Sequence, residues 1–197
     1  MNAEPFDIAV TLLVAASVAA VFMAVLADFA LYHGRSDVKT QQKSIVATST
    51  MTLFYLGYCL IIWRGWGHVD IADPLLRHVG TGIGVALVVS GAVLNIVGRL
   101  KLSHYWANQI KVYSDQQLLT DGIFGVVRHP LYASTMLMLL GGALVYGNVL
   151  AALATAAVFI PFMYHRARQE ETLLGAEFPQ YEAYRRRTGM FFPGIWR

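Results

Sequence analysis

Residues 128–166 read RHPLYASTMLMLLGGALVYGNVLAALATAAVFIPFMYHR. Two apolar runs, 131–146 and 149–164, meet at Gly147-Asn148, and basic residues bound their far ends. A chain that leaves one hydrophobic helix through two turn-forming residues must re-enter the same apolar layer in the opposite direction, so the stretch predicts a tight helical hairpin. Pro130 suits the first position of the first helix, where a missing N–H costs nothing and the ring's fixed φ matches the helix. The free N–H groups of that helix then face the polar side beside Arg128 and His129, where they favour a carboxylate or phosphate.

Working outward, three more apolar runs occupy residues 8–26, 45–63 and 79–98, each close to the ~20 residues that cross a bilayer core. The whole chain is 56% hydrophobic and only 14% charged, against roughly a quarter charged in soluble domains. The expected fold is an all-α integral membrane protein with five transmembrane helices, the two hairpin helices lengthening through amphipathic residues at their outer ends. The flank of the first run, MNAEPFD, carries two acids and no Lys or Arg. That is the reverse of a signal-peptide n-region, so this run is expected to remain a span.

With five spans, thirteen of the fifteen Lys and Arg fall on one side and only Arg64 and Arg77 on the other. By the positive-inside rule the C-terminus is cytoplasmic, and a bacterial inner membrane is the expected setting. This placement also accounts for the net charge of +3 without nucleic acid as a partner. The single cysteine, Cys59, forms no intramolecular disulfide and is given no role, and no metal-ligand motif stands out.

Residues 1–98 read as a three-helix scaffold. Gly80, Gly84, Ser90, Gly91 and Gly98 in the third run are small residues whose spacing permits close helix approach. Residues 99–197 carry the candidate chemistry. The polar segment 99–129 is too long for a turn, and Tyr105, Trp106, Ile110, Val112, Leu118 and Leu119 give it apolar anchors. After the fifth run, helical spacing continues to about Leu174, breaks near Gly175 and Pro179, and resumes over residues 180–187. The segment before the fourth helix and these C-terminal helices are expected to form a cytosolic cap.

Read alone, Arg128 and His129 are explained by snorkelling at the interface. Arg166, Arg168, Glu170 and Glu171 are likewise explained by i,i+4 and i,i+3 ion pairs. The hairpin changes this, because its antiparallel arms bring the two clusters to the same end of the fold. A helix N-terminus, a histidine, a tyrosine and carboxylates at the membrane–cytosol boundary suit a zwitterionic, water-soluble cofactor serving a lipid-borne substrate, with S-adenosylmethionine among the candidates.

At this point the chain resembles the isoprenylcysteine carboxyl methyltransferase family. The matching residues are LLTDGIFGVVRHPLYAS at 118–134, GN at 147–148, RARQEETLL at 166–174, and YEAY at 181–184 with a trailing proline. The resemblance covers about the C-terminal half. It implies a membrane methyltransferase that uses S-adenosylmethionine on a lipophilic or lipidated acceptor such as isoprenylcysteine. It further implies that Gln109, Gln116, Gln117, Leu118 and Leu119 border the cofactor. Phe124, His129, Pro130, Leu131 and Tyr132 would form its wall, Glu170 would hold it from the other arm, and Arg166 would face the acceptor's carboxylate. Phe124, Ser134 and the pair Phe178-Pro179 depart from the family pattern.

Two other readings stand beside it. An NADPH-dependent membrane reductase of the sterol-reductase type shares an RHP turn, but its nucleotide-binding tail differs from the Glu170-Glu171 segment. A non-catalytic transporter or assembly protein would place ionisable groups at mid-membrane. There this chain offers only Asn95 and hydroxyls in residues 48–52, which interhelical contacts explain.

Overall fold

The computed structural model describes residues 5–32, 37–42, 44, 48–107 and 110–195. It is a multi-pass membrane protein built mostly from helices: α1 (Pro5–Tyr32), α2 (Thr48–Arg64), α3 (Pro74–Leu102), α4 (Pro130–Val145), α5 (Val149–Glu177) and the short α6 (Tyr181–Arg187). Among the described residues, α1, α3 and α5 are long and apolar enough to cross a membrane, and α4 is a shorter apolar helix. The outward side chains of α1, α2 and α3 are large and apolar, as with Leu12, Phe22, Leu53 and Leu100, which is what a hydrocarbon solvent accepts.

Local chemistry sets the helix limits. Asp73 caps α3 by accepting from the backbone N–H of Leu75 at 2.8 Å and of Leu76, with Pro74 at the first position. Asn148 caps α5 by accepting from Ala151 N–H at 2.8 Å, and Gly147 takes the left-handed φ of 54° that the hairpin turn requires. Within α5, residues Thr155–Phe159 are π-helical immediately before Pro161. Proline cannot donate to the turn behind it, and the wider turn relieves the ring's clash with that turn.

Small residues let α3 and α4 approach closely. A Cβ added at Gly91 would lie 2.7 Å from Ser134 O, and one at Gly84 2.7 Å from Gly141 O, whereas Gly80 faces open space. Inside this interface Asn95, 1% exposed, donates to the Ser134 hydroxyl at 2.8 Å and accepts from Arg99 Nε at 2.8 Å. Arg99 also pairs with Asp28 of α1. Asn95 therefore has partners across helices and within its own. The core proper joins α2, α4, α5 and the C-terminal segment through Met51, Met136, Phe159, Met163, Met190 and Phe191.

At one end, the α2–α3 connection binds the hairpin turn: Val69 N–H donates to Gly147 O at 2.8 Å and Val149 N–H to Gly67 O at 2.9 Å. At the other end lies a feature the helical pattern does not foresee, an antiparallel ribbon of β1 (Val38–Gln42) and β2 (Ile110–Tyr113). Lys39 on β1 pairs with Glu177 at the end of α5, 2.6 Å apart. The ribbon thus ties the segment after α3 to the end of the hairpin.

Gly91→Val should lower the thermal stability of the detergent-purified protein by about 1–3 kcal/mol through overpacking, while Gly80→Ala should leave its Tm unchanged. Equal effects at the two positions would contradict the close α3–α4 contact.

Candidate functional site

The root of the hairpin concentrates ionisable side chains. Arg128 and His129 precede α4, Tyr132 sits in its first turn, and Arg166, Glu170 and Glu171 lie on successive turns of α5. Arg128 Nε donates to Glu171 Oε1 at 2.7 Å, with both side chains at most 4% exposed. His129 lies between the two acids, Nδ1 3.4 Å from Glu170 Oε2 and Nε2 3.4 Å from Glu171 Oε1. The Tyr132 hydroxyl donates to Glu170 Oε1 and accepts from Arg166 Nε at 2.9 Å. The result is a buried ladder running Arg128, Glu171, His129, Glu170, Tyr132, Arg166.

Each rung follows from the need to neutralise charge away from water. Burial opposes the His129 imidazolium, but hydrogen bonding and attraction from Glu170 and Glu171 outweigh it and raise its pKa above the ordinary histidine value. An acid at each ring nitrogen requires both to carry protons. The ring is braced by Tyr132, stacked at 5.5 Å, and by the edge of Phe191 at 6.0 Å.

The C-terminal segment holds this arrangement in place. Arg128 N–H donates to Gly189 O at 2.9 Å and His129 N–H to Met190 O at 3.0 Å, while Arg128 Nη1 reaches Arg185 O and Thr188 O. Gly189 has no room for a side chain, since a Cβ there would sit 1.8 Å from Phe192 O.

Above the ladder opens a small cleft of about 70 Å³, open to solvent at its mouth. Gln116, Gln117, Leu118, Leu119, Phe124 and His129 line it. Pro130, Leu131 and Tyr132 form the first turn of α4 behind His129, and Glu170 and Arg166 lie under it in the ladder. Gln109 falls outside the described residues.

The cleft also has walls that the sequence pattern did not assign to it: Leu102, Arg128, Leu174, Tyr181 and Tyr184. Tyr184 donates to Phe124 O at 2.6 Å and so fixes the turn beneath that wall. The available signal was the three-residue spacing of the tyrosines in YEAY, which puts both on one helical face. Among the described residues, three buried side-chain polar atoms make no well-aligned hydrogen bond: His129 Nε2, which faces Glu171 Oε1 at 3.4 Å, Glu171 Oε2, which faces Arg168 at 3.6 Å, and Tyr181 Oη.

Because its pKa is raised on folding, His129 stabilises the fold fully below about pH 6.5 and loses that contribution as pH rises through its folded value. The wild-type Tm should therefore fall as pH rises above about 6.5 relative to that of His129→Gln, which lacks the titration. Parallel pH profiles for the two proteins would contradict the doubly protonated ring.

Comparison with known proteins places this geometry. Residues 84–176 match the model of the isoprenylcysteine carboxyl methyltransferase (ICMT) family. The nickel-cobalt-cadmium resistance protein NccN of Alcaligenes xylosoxydans xylosoxydans is 31% identical over 160 residues, covering 77% of this chain and 72% of that protein. The protein-S-isoprenylcysteine O-methyltransferase of Schizosaccharomyces pombe is 35% identical over 82 residues, covering 41% of this chain and 35% of the enzyme. The solved structure of the eukaryotic intramembrane Ras methyltransferase ICMT has the same fold, with a TM-score of 0.61 at 23% identity, covering 76% of this chain and 54% of that one. The chain belongs to the isoprenylcysteine carboxyl methyltransferase family of membrane methyltransferases.

Proposed function

We propose that this protein transfers a methyl group from S-adenosylmethionine to the carboxylate of a lipophilic acceptor dissolved in the bilayer, isoprenylcysteine or a molecule like it. The observation that carries the reading is the cleft at the hairpin root. It opens beside helix ends rather than in mid-membrane, and two of its lining residues, His129 and Tyr181, each present a buried polar atom with no well-aligned hydrogen bond. Those atoms suit a ligand with both charged and neutral polar groups, and Leu118, Leu119 and Phe124 suit an aromatic base. The residues present therefore fit the cofactor.

When bound, S-adenosylmethionine supplies a methyl group already activated on a sulfonium, so the protein's tasks are positioning and exclusion of water. Gln116, Gln117, Leu118, Leu119, Phe124, His129, Pro130, Leu131 and Tyr132 border it in this reading, with Gln109 from the preceding segment. Glu170 acts through its neighbours: it accepts from Tyr132 and Arg166 and faces His129, and a carboxylate so engaged is a weak base. That favours an acceptor that needs no deprotonation, a carboxylate over an amine. Arg166 orients that carboxylate, its Nε side fixed by Tyr132 and Glu170. The ladder holds three cations against two carboxylates, which favours an arriving anion.

The reading includes five membrane crossings, a division into scaffold (1–98) and catalytic region (99–197), and a cytoplasmic C-terminus in a bacterial inner membrane. The bond between the α2–α3 connection and the hairpin turn supports it, because it puts Arg64 and Arg77 at the end opposite the cap. Among the described residues no group of three or more His, Cys, Asp and Glu side chains is arranged so as to hold a metal ion.

S-adenosylhomocysteine at about 100 times its Kd should stabilise the detergent-purified protein by roughly 2.7 kcal/mol, and NADPH should not. Stabilisation by NADPH alone would point to a reductase instead. Arg166→Gln should lower turnover about 100-fold or more while changing S-adenosylhomocysteine affinity little. Equal losses in both would remove Arg166 from the acceptor site.

A further inference from the structure

At the end of the molecule away from the cleft, four helix limits gather: the start of α1, where Asp7 holds Arg77 at 3.2 Å, the end of α2, the start of α3, and the Gly147-Asn148 turn. Polar side chains appear at this level, and beneath it α2 exposes Leu53, Leu56 and Leu60. It is therefore a boundary of the apolar layer. Two large indoles stand there, Trp63 77% exposed and Trp66 52% exposed. The guanidinium carbon of Arg64 lies over both, 5.2 Å from the ring centre of Trp63 and 6.0 Å from that of Trp66.

The turn that carries these side chains is fixed. Gly65, at a left-handed φ of 65°, closes α2, with its N–H donating to Ile62 O and Trp66 N–H to Ile61 O, each at 3.1 Å. Gly67 packs so closely that a Cβ there would lie 2.4 Å from Leu150 Cβ, and its carbonyl accepts from Val149 N–H. The turn is thus preorganised, and a ligand that met it would order little of the chain.

Other basic groups at this end are engaged. Arg77 Nη2 donates to both Asp7 oxygens at 3.2 Å. His68 lies between Tyr146 O at 2.9 Å and Asp70 Oδ1 at 3.0 Å, and His78 faces Pro74 O at 2.6 Å. Arg64 is exposed and makes no ion pair or hydrogen bond with another described residue. Its place in the last turn of α2 suits the helix dipole but leaves the N–H fork unused. A fork of donors stacked on aromatic faces matches the paired non-bridging oxygens of a phosphate ester, and indoles favour the headgroup layer where such esters lie. An uncharged lipid would leave the guanidinium unmet.

We propose that Arg64, Trp63 and Trp66 bind the phosphate of a phospholipid in the leaflet farther from the cleft. The site pins the α2–α3 connection to the membrane surface, and with it the hairpin turn, through the backbone bonds of Gly67 and Val69. It stands independently of the methyl-donor reading.

The test is native mass spectrometry of the full chain in detergent, titrated with phosphatidylglycerol and with diacylglycerol of the same acyl chains. Arg64→Gln should weaken the tightest phosphatidylglycerol about tenfold and leave diacylglycerol within about twofold. Trp66→Leu should weaken phosphatidylglycerol about threefold, and Arg187→Gln, at the cleft end, should change it less than about twofold. Without lipid, Arg64→Gln should melt at the wild-type Tm, because its side chain has no polar partner to lose. Unchanged phosphatidylglycerol affinity in Arg64→Gln, an equal loss in Arg187→Gln, or displacement of the lipid by inorganic phosphate would each overturn the proposal. A lower lipid-free Tm for Arg64→Gln would assign Arg64 to the fold instead.

Discussion

Charges removed from water must neutralise one another, and at the root of the α4–α5 hairpin this constraint organises the molecule. The turn at Gly147-Asn148 forces two helices to run antiparallel, so Arg128 and His129 at the start of one meet Glu170 and Glu171 near the end of the other. Once buried, none of these groups can be left alone without a penalty of several kcal/mol. The pairings therefore fix the rotation of α5 against α4, and with it the position of every side chain facing the cleft. The π-turn before Pro161 belongs to the same arrangement, because it adjusts the phase of α5 just upstream of Arg166.

Around that root the other elements act as braces. The glycine-lined contact between α3 and α4 brings Leu102 to the cleft wall, and β1 with β2 anchors the segment that leads into residues 116–119. The tail threads back under Arg128 and packs Phe191 against His129. The apolar exterior meets lipid, while the polar groups gather at one end. A water-soluble methyl donor and a membrane-borne acceptor could there approach the same residues from two phases.

The sequence disclosed the hairpin because its signals are local: Pro130 at a helix start, Asn148 and Gly147 at a turn, and apolar runs on both sides. Antiparallel geometry then followed, and so did the meeting of His129 with Glu170. The non-local pairings were hidden. Arg168 and Glu171, three residues apart on one helix, suggested a surface ion pair, yet the stronger partner of Glu171 is Arg128, 43 residues away and buried. The β1–β2 ribbon joins strands of five and four residues, too short for a clear alternation. The run GMFF at 189–192 is shorter than any helical period, and its place in the core is set by backbone bonds to residues 128–129. Asp28 reads as a lone acid in an apolar helix until Arg99 of α3 is seen beside it.

The most direct test of the account is an experimental structure of the full chain in a lipid nanodisc with S-adenosylhomocysteine. The account places the ligand against residues 116–119 and Phe124, beside His129. A ligand seated elsewhere, or His129 found apart from Glu170 with no cleft between the hairpin root and α6, would contradict it.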